Sequence, residues 1–202
     1  GATSVPMSDV ANFAKQGVVF FSLSYRVGPF GFLATPELSA ETGHGSGNYG
    51  LLDLVAGLRW VHDNIAQFGG DPGKVTIMGH SAGSMAVSEL VASPLTRGLF
   101  RAASGESGAD FAPPGEFAGT TMATLPQAEA SGARWLASLG AHSLAEARAI
   151  PAARLEQAQR GPGAPRFFPP LDGYVLPAPE YATWQRHAYN DVPVLIGTTS
   201  DE

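Results

Sequence analysis

The sequence predicts an α/β fold with a largely parallel central sheet. The run 18–25 is apolar on both faces at first, as in a central parallel strand covered by helices. From residue 50 the hydrophobic period becomes that of an amphipathic helix, and a second β-branched run at 75–78 leads through a glycine-flanked turn into another helical stretch. Strand, helix, strand, turn and helix is the order of a right-handed parallel crossover.

An apolar stripe defines the first helix. Its members are Leu51, Leu54, Val55, Leu58, Val61 and Ile65. Two glycines stand past the predicted end at Phe68, and Pro72 follows, which is the usual arrangement at a helix C-terminus. After the glycine-flanked turn, residues 84–92 predict a further helix that Ser93-Pro94 ends.

The second half is less regular. Residues 111–124 are rich in Ala, Gly and Pro and predict a loop. Three helices are predicted over 127–139, 144–148 and 152–159. Short helices between core strands often form a cap over an active site, so we expect a helical cap insertion around 110–165.

The composition describes a soluble globular chain with an acidic excess. Among 202 residues, 44% are hydrophobic, the formal charge is −6 and cysteine is absent. This charge disfavours nucleic acid or an anionic membrane surface as a partner. No apolar stretch approaches the roughly 18 residues of a transmembrane helix. Without cysteine there is no disulfide or thiolate chemistry, and the compartment and the oligomeric state stay undetermined.

The two ends predict an internal portion of a longer polypeptide. Residue 1 is Gly, and neither an initiator Met nor a signal peptide opens the sequence. Residues 192–202 have the pattern of a strand and the loop just after it, where a domain rarely stops. We therefore expect residues 1–202 to form one partial domain whose N-terminal and C-terminal parts are missing.

The candidate chemistry lies in Gly79-His80-Ser81-Ala82-Gly83, which follows the second apolar run directly. A hydroxyl is a poor nucleophile at physiological pH, so an enzyme must present it to a base and to oxyanion donors. A sharp strand-to-helix turn does this at a cost of roughly 1–3 kcal/mol of backbone strain, and glycines at Gly79 and Gly83 let strand and helix pack closely. The alternative is a Gly/Ser turn between two core elements, since the chain has 25 glycines.

The segment 68–83 resembles the serine signature of the type-B carboxylesterases, the group that includes the cholinesterases and bacterial para-nitrobenzyl esterases. Further blocks resemble the same family in the same order, namely 25–33, 48–53, 58–65, 100–102, 171–173, and 194–197 followed by Asp201-Glu202. The resemblance covers most of the chain and is weak only between about 109 and 165. It implies an α/β-hydrolase fold, with a mostly parallel central sheet and helices on both faces.

The resemblance also implies roles for individual residues. Ser81 is the nucleophile, the backbone N–H of Ala82 is one oxyanion donor, and Glu202 is the acid of the triad in preference to Asp201. Ser107 matches a serine that supports the acid from behind, although Gly105-Glu106 departs from the family's usual apolar-Gln pair. For Ser107 the alternative is a plain strand-end turn, and for Glu202 it is a solvated loop carboxylate.

Two parts of the family's machinery have no counterpart in these residues. The glycine-rich oxyanion loop should precede Gly1, and the catalytic histidine should follow Glu202. The five histidines, all earlier in the chain, are His44, His62, His80, His142 and His187. We expect His62 to lie at the edge of the core and His80 to flank the turn without acting as base, and only His44 merits a test as a substrate contact.

These features predict a serine carboxylic-ester hydrolase. It would act on a small-molecule ester through an acyl-enzyme on Ser81, without metal or organic cofactor. One alternative is a non-catalytic binding or adhesion domain on the same scaffold, although such proteins usually lose the serine of the strand-to-helix turn. A lipase or an amidase is a nearer alternative.

Overall fold

The computed structural model describes residues 11–108 and 122–200. Its helices are α1 (Ala11–Ala14), α2 (Gly28–Phe32), α3 (Pro36–Thr42), α4 (Tyr49–Asn64), α5 (Ala82–Ala92), α6 (Leu125–Ser138), α7 (Leu144–Ala149), α8 (Ala152–Ala158) and α9 (Glu180–Gln185). Its strands are β1 (Thr76–His80), β2 (Ala102–Glu106) and β3 (Val194–Gly197). These elements fall into two compact units: the first unit holds residues 11–24, 53–108 and 180–200, and the second holds 25–52 and 122–179.

The sheet belongs to the first unit and is parallel throughout. Its strand order is β1-β2-β3, with Ile77 opposite Ala103 and Ala103 opposite Val194. The predicted parallel α/β architecture is therefore confirmed. Since consecutive parallel strands end at the same edge, the residues that follow the three strands lie at one edge of the sheet.

Helix α5 packs on one face of this sheet. Ile77 and Ala103 point to that face and are buried by the helix. Side chains alternate between the two faces of a strand, so the neighbouring residues point the other way. On the other face the side chains of Met78 and Leu195 are 47% and 71% exposed. The sheet thus has one face covered by α5 and one face on which Met78 and Leu195 are exposed in the described part of the chain.

The strand predicted over 18–25 is absent from the structure. Residues 18–27 form neither helix nor strand, and Val18, Val19 and Phe21 are exposed. An apolar composition shows that a segment favours burial, but a strand also needs a neighbour to accept its backbone hydrogen bonds. No strand within the described ranges pairs with this run, so the prediction is wrong for this structure.

The helix predicted from residue 50 is confirmed as α4. All six residues of its apolar stripe are buried. The helix continues as a 3-10 turn over Ile65–Phe68 and stops at Gly69, whose φ of 82° is the left-handed conformation that glycine adopts readily. The amide of Gly69 then donates to the carbonyl oxygen of Ala66 at 3.1 Å.

The second unit contains the three helices predicted for residues 127–159, now α6, α7 and α8. Trp135 and Leu136 of α6 form a small core with Ala141 and Ala147. The side chain of Gln127 accepts a hydrogen bond from the amide of Thr124 at 2.9 Å, which satisfies one backbone group at the start of α6. Residues 109–121 lie outside the described part of the chain, and the cap function of these helices stays a prediction.

Helices α3 and α7 of the second unit are joined by charged groups. Arg148 donates two hydrogen bonds to the carboxylate of Glu41, at 3.0 Å and 2.7 Å, and the amide of Leu144 donates to Glu37. The guanidinium of Arg148 lowers the pKa of Glu41 below its ordinary value of 4.5. This junction therefore weakens in acid.

Candidate active site

Ser81 occupies the turn between β1 and α5, and its backbone is strained. Its φ is 55° and its ψ is −120°, a conformation that residues other than glycine avoid and that costs about 1–3 kcal/mol. The residue is exposed, as is Ala82 after it. The strand-to-helix turn predicted from the sequence is thus present, with the serine at its apex.

Both backbone polar groups of Ser81 are hydrogen-bonded. Its amide donates to the carbonyl oxygen of Glu106, at the end of β2, over 2.9 Å. Its carbonyl oxygen accepts from the amides of Ser84 and Met85, at 2.9 Å and 3.1 Å. These contacts with the neighbouring strand and with the first turn of α5 hold the strained conformation in place.

Gly79 allows β1 to approach α5 closely. A Cβ placed there would collide with the carbonyl group of Gly83 and would lie 2.9 Å from the amide nitrogen of Ser84. Any side chain at this position would push the strand away from the helix. A Cβ at Gly83 would meet no described atom within 4 Å, so the steric demand lies at Gly79.

Ala82 is the first residue of α5. Amide groups in the first turn of a helix have no carbonyl partner within the helix, and the helix dipole makes this end electropositive. An anion that develops beside the Ser81 hydroxyl would meet such a donor. The position of Ala82 fits the oxyanion role predicted for it.

The turn after β2 lies against the elbow, by which we mean residues 79–83. Ser107 has a φ of 52°, and its amide donates to the carbonyl oxygen of Gly197 at 2.8 Å, which ties this turn to the end of β3. A Cβ at the next residue, Gly108, would lie 2.5 Å from the carbonyl oxygen of Ser81. Sequence reasoning considered Ser107 here but missed Gly108, because no local pattern gives the distance between two separate turns.

The predicted acid, Glu202, and its neighbour Asp201 lie outside the described residues. The last described strand ends at Gly197, five positions before Glu202. The pairing of Glu202 with the rest of the triad stays a prediction.

The histidines lie in separate surroundings. Within residues 11–108 and 122–200, no hydrogen bond joins a histidine side chain to Ser81. His80 lies within the elbow and is exposed, and His44 stacks on Tyr174 in the second unit with ring centroids 4.0 Å apart. His62 is exposed rather than at the edge of the core, and its Nδ1 lies 3.1 Å from Asp63, which corrects our expectation.

A shallow cavity of about 330 Å³ lies elsewhere in the first unit. It is lined by Arg97, Gly98, Phe100, Tyr189, Asn190, Asp191 and Val192. These residues precede β2 and β3, so they lie toward the amino ends of the strands, whereas Ser81 follows the carboxyl end of β1. The cavity is separate from the candidate active site.

Comparison with known proteins identifies the family. A sequence model of the Carboxylesterase family matches residues 2–202. The chain belongs to the carboxylesterase family. This membership confirms the resemblance on which the site residues were predicted.

Individual relatives agree with this membership. The chain is 39% identical over 206 residues to the fumonisin B1 esterase of Sphingopyxis macrogoltabida, covering all of this chain and 37% of that protein. It is 40% identical over 205 residues to the para-nitrobenzyl esterase of Bacillus subtilis (strain 168), covering all of this chain and 41% of that protein. This carboxylesterase-family chain thus spans about two fifths of the length of these relatives.

A solved structure shows the same architecture. The Geobacillus stearothermophilus carboxylesterase at pH 6.8 superposes with a TM-score of 0.82 at 37% identity, covering all of this chain and 42% of that one. The chain is therefore part of an α/β-hydrolase fold. Within the described ranges, no helix has the length and apolar character needed to cross a membrane.

Proposed function

We propose that the protein is a serine carboxylic-ester hydrolase with Ser81 as its nucleophile. The observation that carries this proposal is an exposed, strained serine at a strand-to-helix turn in a member of the carboxylesterase family. The hydroxyl oxygen attacks the ester carbonyl, the alcohol leaves with a proton, and water then hydrolyses the acyl-enzyme and releases the acid.

The backbone N–H of Ala82 supports this chemistry as an oxyanion donor. Negative charge develops on the former carbonyl oxygen in the transition state, next to the amino-terminal end of α5. One such donor typically contributes about 3–4 kcal/mol of transition-state stabilisation. Further donors come, in this proposal, from a glycine-rich loop outside these 202 residues.

Glu202 completes the proposed machinery as the acid that orients a histidine. The carbonyl oxygen of Gly197 accepts a hydrogen bond from the amide of Ser107, and the turn that holds Ser107 adjoins the elbow. The carboxyl end of β3 therefore lies at the same edge of the sheet as Ser81. This supports a role for the loop after β3, and Ser107 would support the acid there. The histidine itself would come from polypeptide beyond Glu202.

The substrate class is a small-molecule carboxylic ester. Two relatives are named fumonisin B1 esterase and para-nitrobenzyl esterase. A lipase or amidase would share the same nucleophile, so rates on short-chain, long-chain, aromatic-acid and amide substrates separate these activities. A preference for insoluble long-chain triglyceride would contradict the carboxylesterase assignment.

A non-catalytic binding or adhesion domain is the competing function. Such a domain has no need for a nucleophile in a strained conformation, so the presence of Ser81 at the apex of the elbow favours the enzyme. The two functions differ in whether the serine reacts.

The test is covalent labelling of the full-length protein with a fluorophosphonate ester, which reacts with activated serines. Intact mass should increase by one adduct, peptide mapping should place it on Ser81, and ester hydrolysis should stop in proportion. The Ser81→Ala variant should keep its thermal transition but lose both labelling and turnover. Undiminished hydrolysis by that variant, or an adduct on another serine, would refute the assignment.

A further inference from the structure

We infer that Gly108 is a positioning residue for the nucleophile, an inference that rests on the proposed function of Ser81. Gly108 follows β2 and contacts the backbone of Ser81 from outside the elbow. A Cβ there would lie 2.5 Å from the carbonyl oxygen of Ser81, 3.1 Å from its carbonyl carbon and 3.3 Å from its Cα. Any residue other than glycine would therefore displace the peptide group that follows the nucleophile.

This peptide group carries two parts of the site at once. The carbonyl of Ser81 and the N–H of Ala82 belong to one planar unit, because the bond between them has partial double-bond character. Displacing the carbonyl oxygen turns the N–H with it. A side chain at position 108 would thus misplace the oxyanion donor together with the backbone that carries the nucleophile.

A small side-chain movement cannot make room for a Cβ at Gly108. The atoms that a Cβ at Gly108 would meet are backbone atoms of Ser81. The carbonyl oxygen of Ser81 already accepts hydrogen bonds from the amides of Ser84 and Met85. On the other side the amide of Ser81 is fixed by Glu106. The elbow is therefore held between α5 and the end of β2, and Gly108 packs directly against the backbone of Ser81.

The requirement at Gly108 is for space rather than for a positive φ. Its φ lies outside the left-handed region, so a side chain there would not be strained by its φ. Gly105, within β2 three residues earlier, offers a matched comparison. A Cβ there would lie 2.6 Å from the hydroxyl of Ser84, which is a side-chain atom and can rotate.

The experiment compares Gly108→Ala with Gly105→Ala and Gly73→Ala in the full-length protein. At Gly73, before β1, a Cβ would meet a single described atom within 4 Å, the Asp71 carboxylate oxygen at 3.3 Å. We measure kcat, KM, the fluorophosphonate labelling rate of Ser81 and the thermal transition of each. For Gly108→Ala, kcat and the labelling rate should fall about 100-fold while KM changes less than about threefold, as expected when a reacting group moves by about 1 Å. Gly105→Ala and Gly73→Ala should label at the wild-type rate once folded.

Each outcome decides between the alternatives. If the wild type is labelled at Ser81 and Gly108→Ala labels equally fast, only the positioning role is wrong. If the wild type is not labelled, the proposed function fails and the inference with it. An equal loss of labelling in Gly105→Ala would show a general packing effect and also contradict the role.

A double variant tests whether misfolding explains a loss of labelling. Gly108→Ala is also combined with Ser84→Ala, which removes a buried hydroxyl that has no hydrogen-bond partner in the described chain. A folded double variant with slow labelling supports the positioning role. Failure of both proteins to fold contradicts it, since a positioning role predicts a folded protein with a misplaced serine.

Discussion

Asn190 binds the carbonyl oxygen of Val91 twice, through its backbone amide and through its side-chain Nδ2, each at 2.9 Å. The same Nδ2 lies within 3.2 Å of the carbonyl oxygens of Leu90 and Ser93 and 3.0 Å from the hydroxyl of Thr96. The last carbonyls of a helix have no partner within the helix. Asn190, on the segment before β3, supplies partners for the C-terminal end of α5.

We predict that Asn190→Ala destabilises the fold. The substitution removes the Nδ2 donor from the buried carbonyl oxygens of Leu90, Val91 and Ser93. The backbone amide of residue 190 still donates to Val91 and the hydroxyl of Thr96 to Leu90, so the loss should cost about 1–2 kcal/mol. Urea unfolding of the full-length protein, followed by circular dichroism, measures the loss. Asn64→Ala is the control, because the Nδ2 of Asn64 makes one exposed hydrogen bond, to Trp60 at 2.8 Å, and its loss should cost less than about 1 kcal/mol. Equal costs for the two variants would contradict this reading of Asn190.

Removal of the Ser84 hydroxyl should stabilise the protein. Ser84 is fully buried, and its Oγ has no hydrogen-bond partner among the residues that the structure describes. Burying an unpaired hydroxyl is unfavourable, so Ser84→Ala should raise the free energy of unfolding by about 1 kcal/mol.

Thr96→Val is the matched comparison for Ser84→Ala. The hydroxyl of Thr96 is buried but donates to the carbonyl oxygen of Leu90 at 2.6 Å. Its loss should lower stability by about 1 kcal/mol, the opposite sign. A stability loss in Ser84→Ala, measured by the same urea titration, would mean that its hydroxyl has a partner.

The junction of α3 and α7 should respond to acid. The hydrogen bonds from Arg148 lower the pKa of Glu41, so the native state binds this proton less readily than the unfolded chain. The stabilisation is present above the unfolded value of 4.5 and is lost as pH falls through the lower pKa of the native state.

We therefore expect Glu41→Gln to lower the melting temperature at about pH 7, and this difference to shrink at a pH well below 4.5, as Glu41 becomes protonated in the native state as well. Glu156→Gln is the control, because the Glu156 carboxylate lies 3.9 Å from Arg160 with both side chains exposed. If Glu41→Gln lowers the melting temperature by the same amount at both pH values, this prediction is wrong.

Glu202→Gln tests the proposed triad acid. Glutamine cannot stabilise the imidazolium and favours the wrong histidine tautomer, so kcat should fall by several orders of magnitude, on the order of 10⁴, with KM little changed. Asp201→Asn removes the neighbouring carboxylate and should leave kcat within about threefold. The reverse result in steady-state assays of the two variants would assign the acid to Asp201.

Much of the secondary structure of the first unit could be predicted from the sequence, because the patterns that predict it lie within short stretches of chain. The stripe of α4 and the glycine after it act within one helix, and both were confirmed. The strained turn at Ser81 follows from the order of strand, glycine, serine, glycine and helix. The run 18–25 shows the limit of such reasoning, because its apolar residues indicate a strand but contain no information about a partner.

The sequence by itself determined the parallel α/β architecture, the helices on either side of the elbow and the position of the candidate nucleophile. Each of these depends on hydrophobic period and turn residues within a short stretch of chain. Tertiary structure alone decided that Glu106 and Gly108 contact the elbow and that Asn190 donates to the carbonyl oxygens at the end of α5, because these contacts join segments far apart in sequence. Their distances depend on how the strands pair and pack, and no local pattern encodes that.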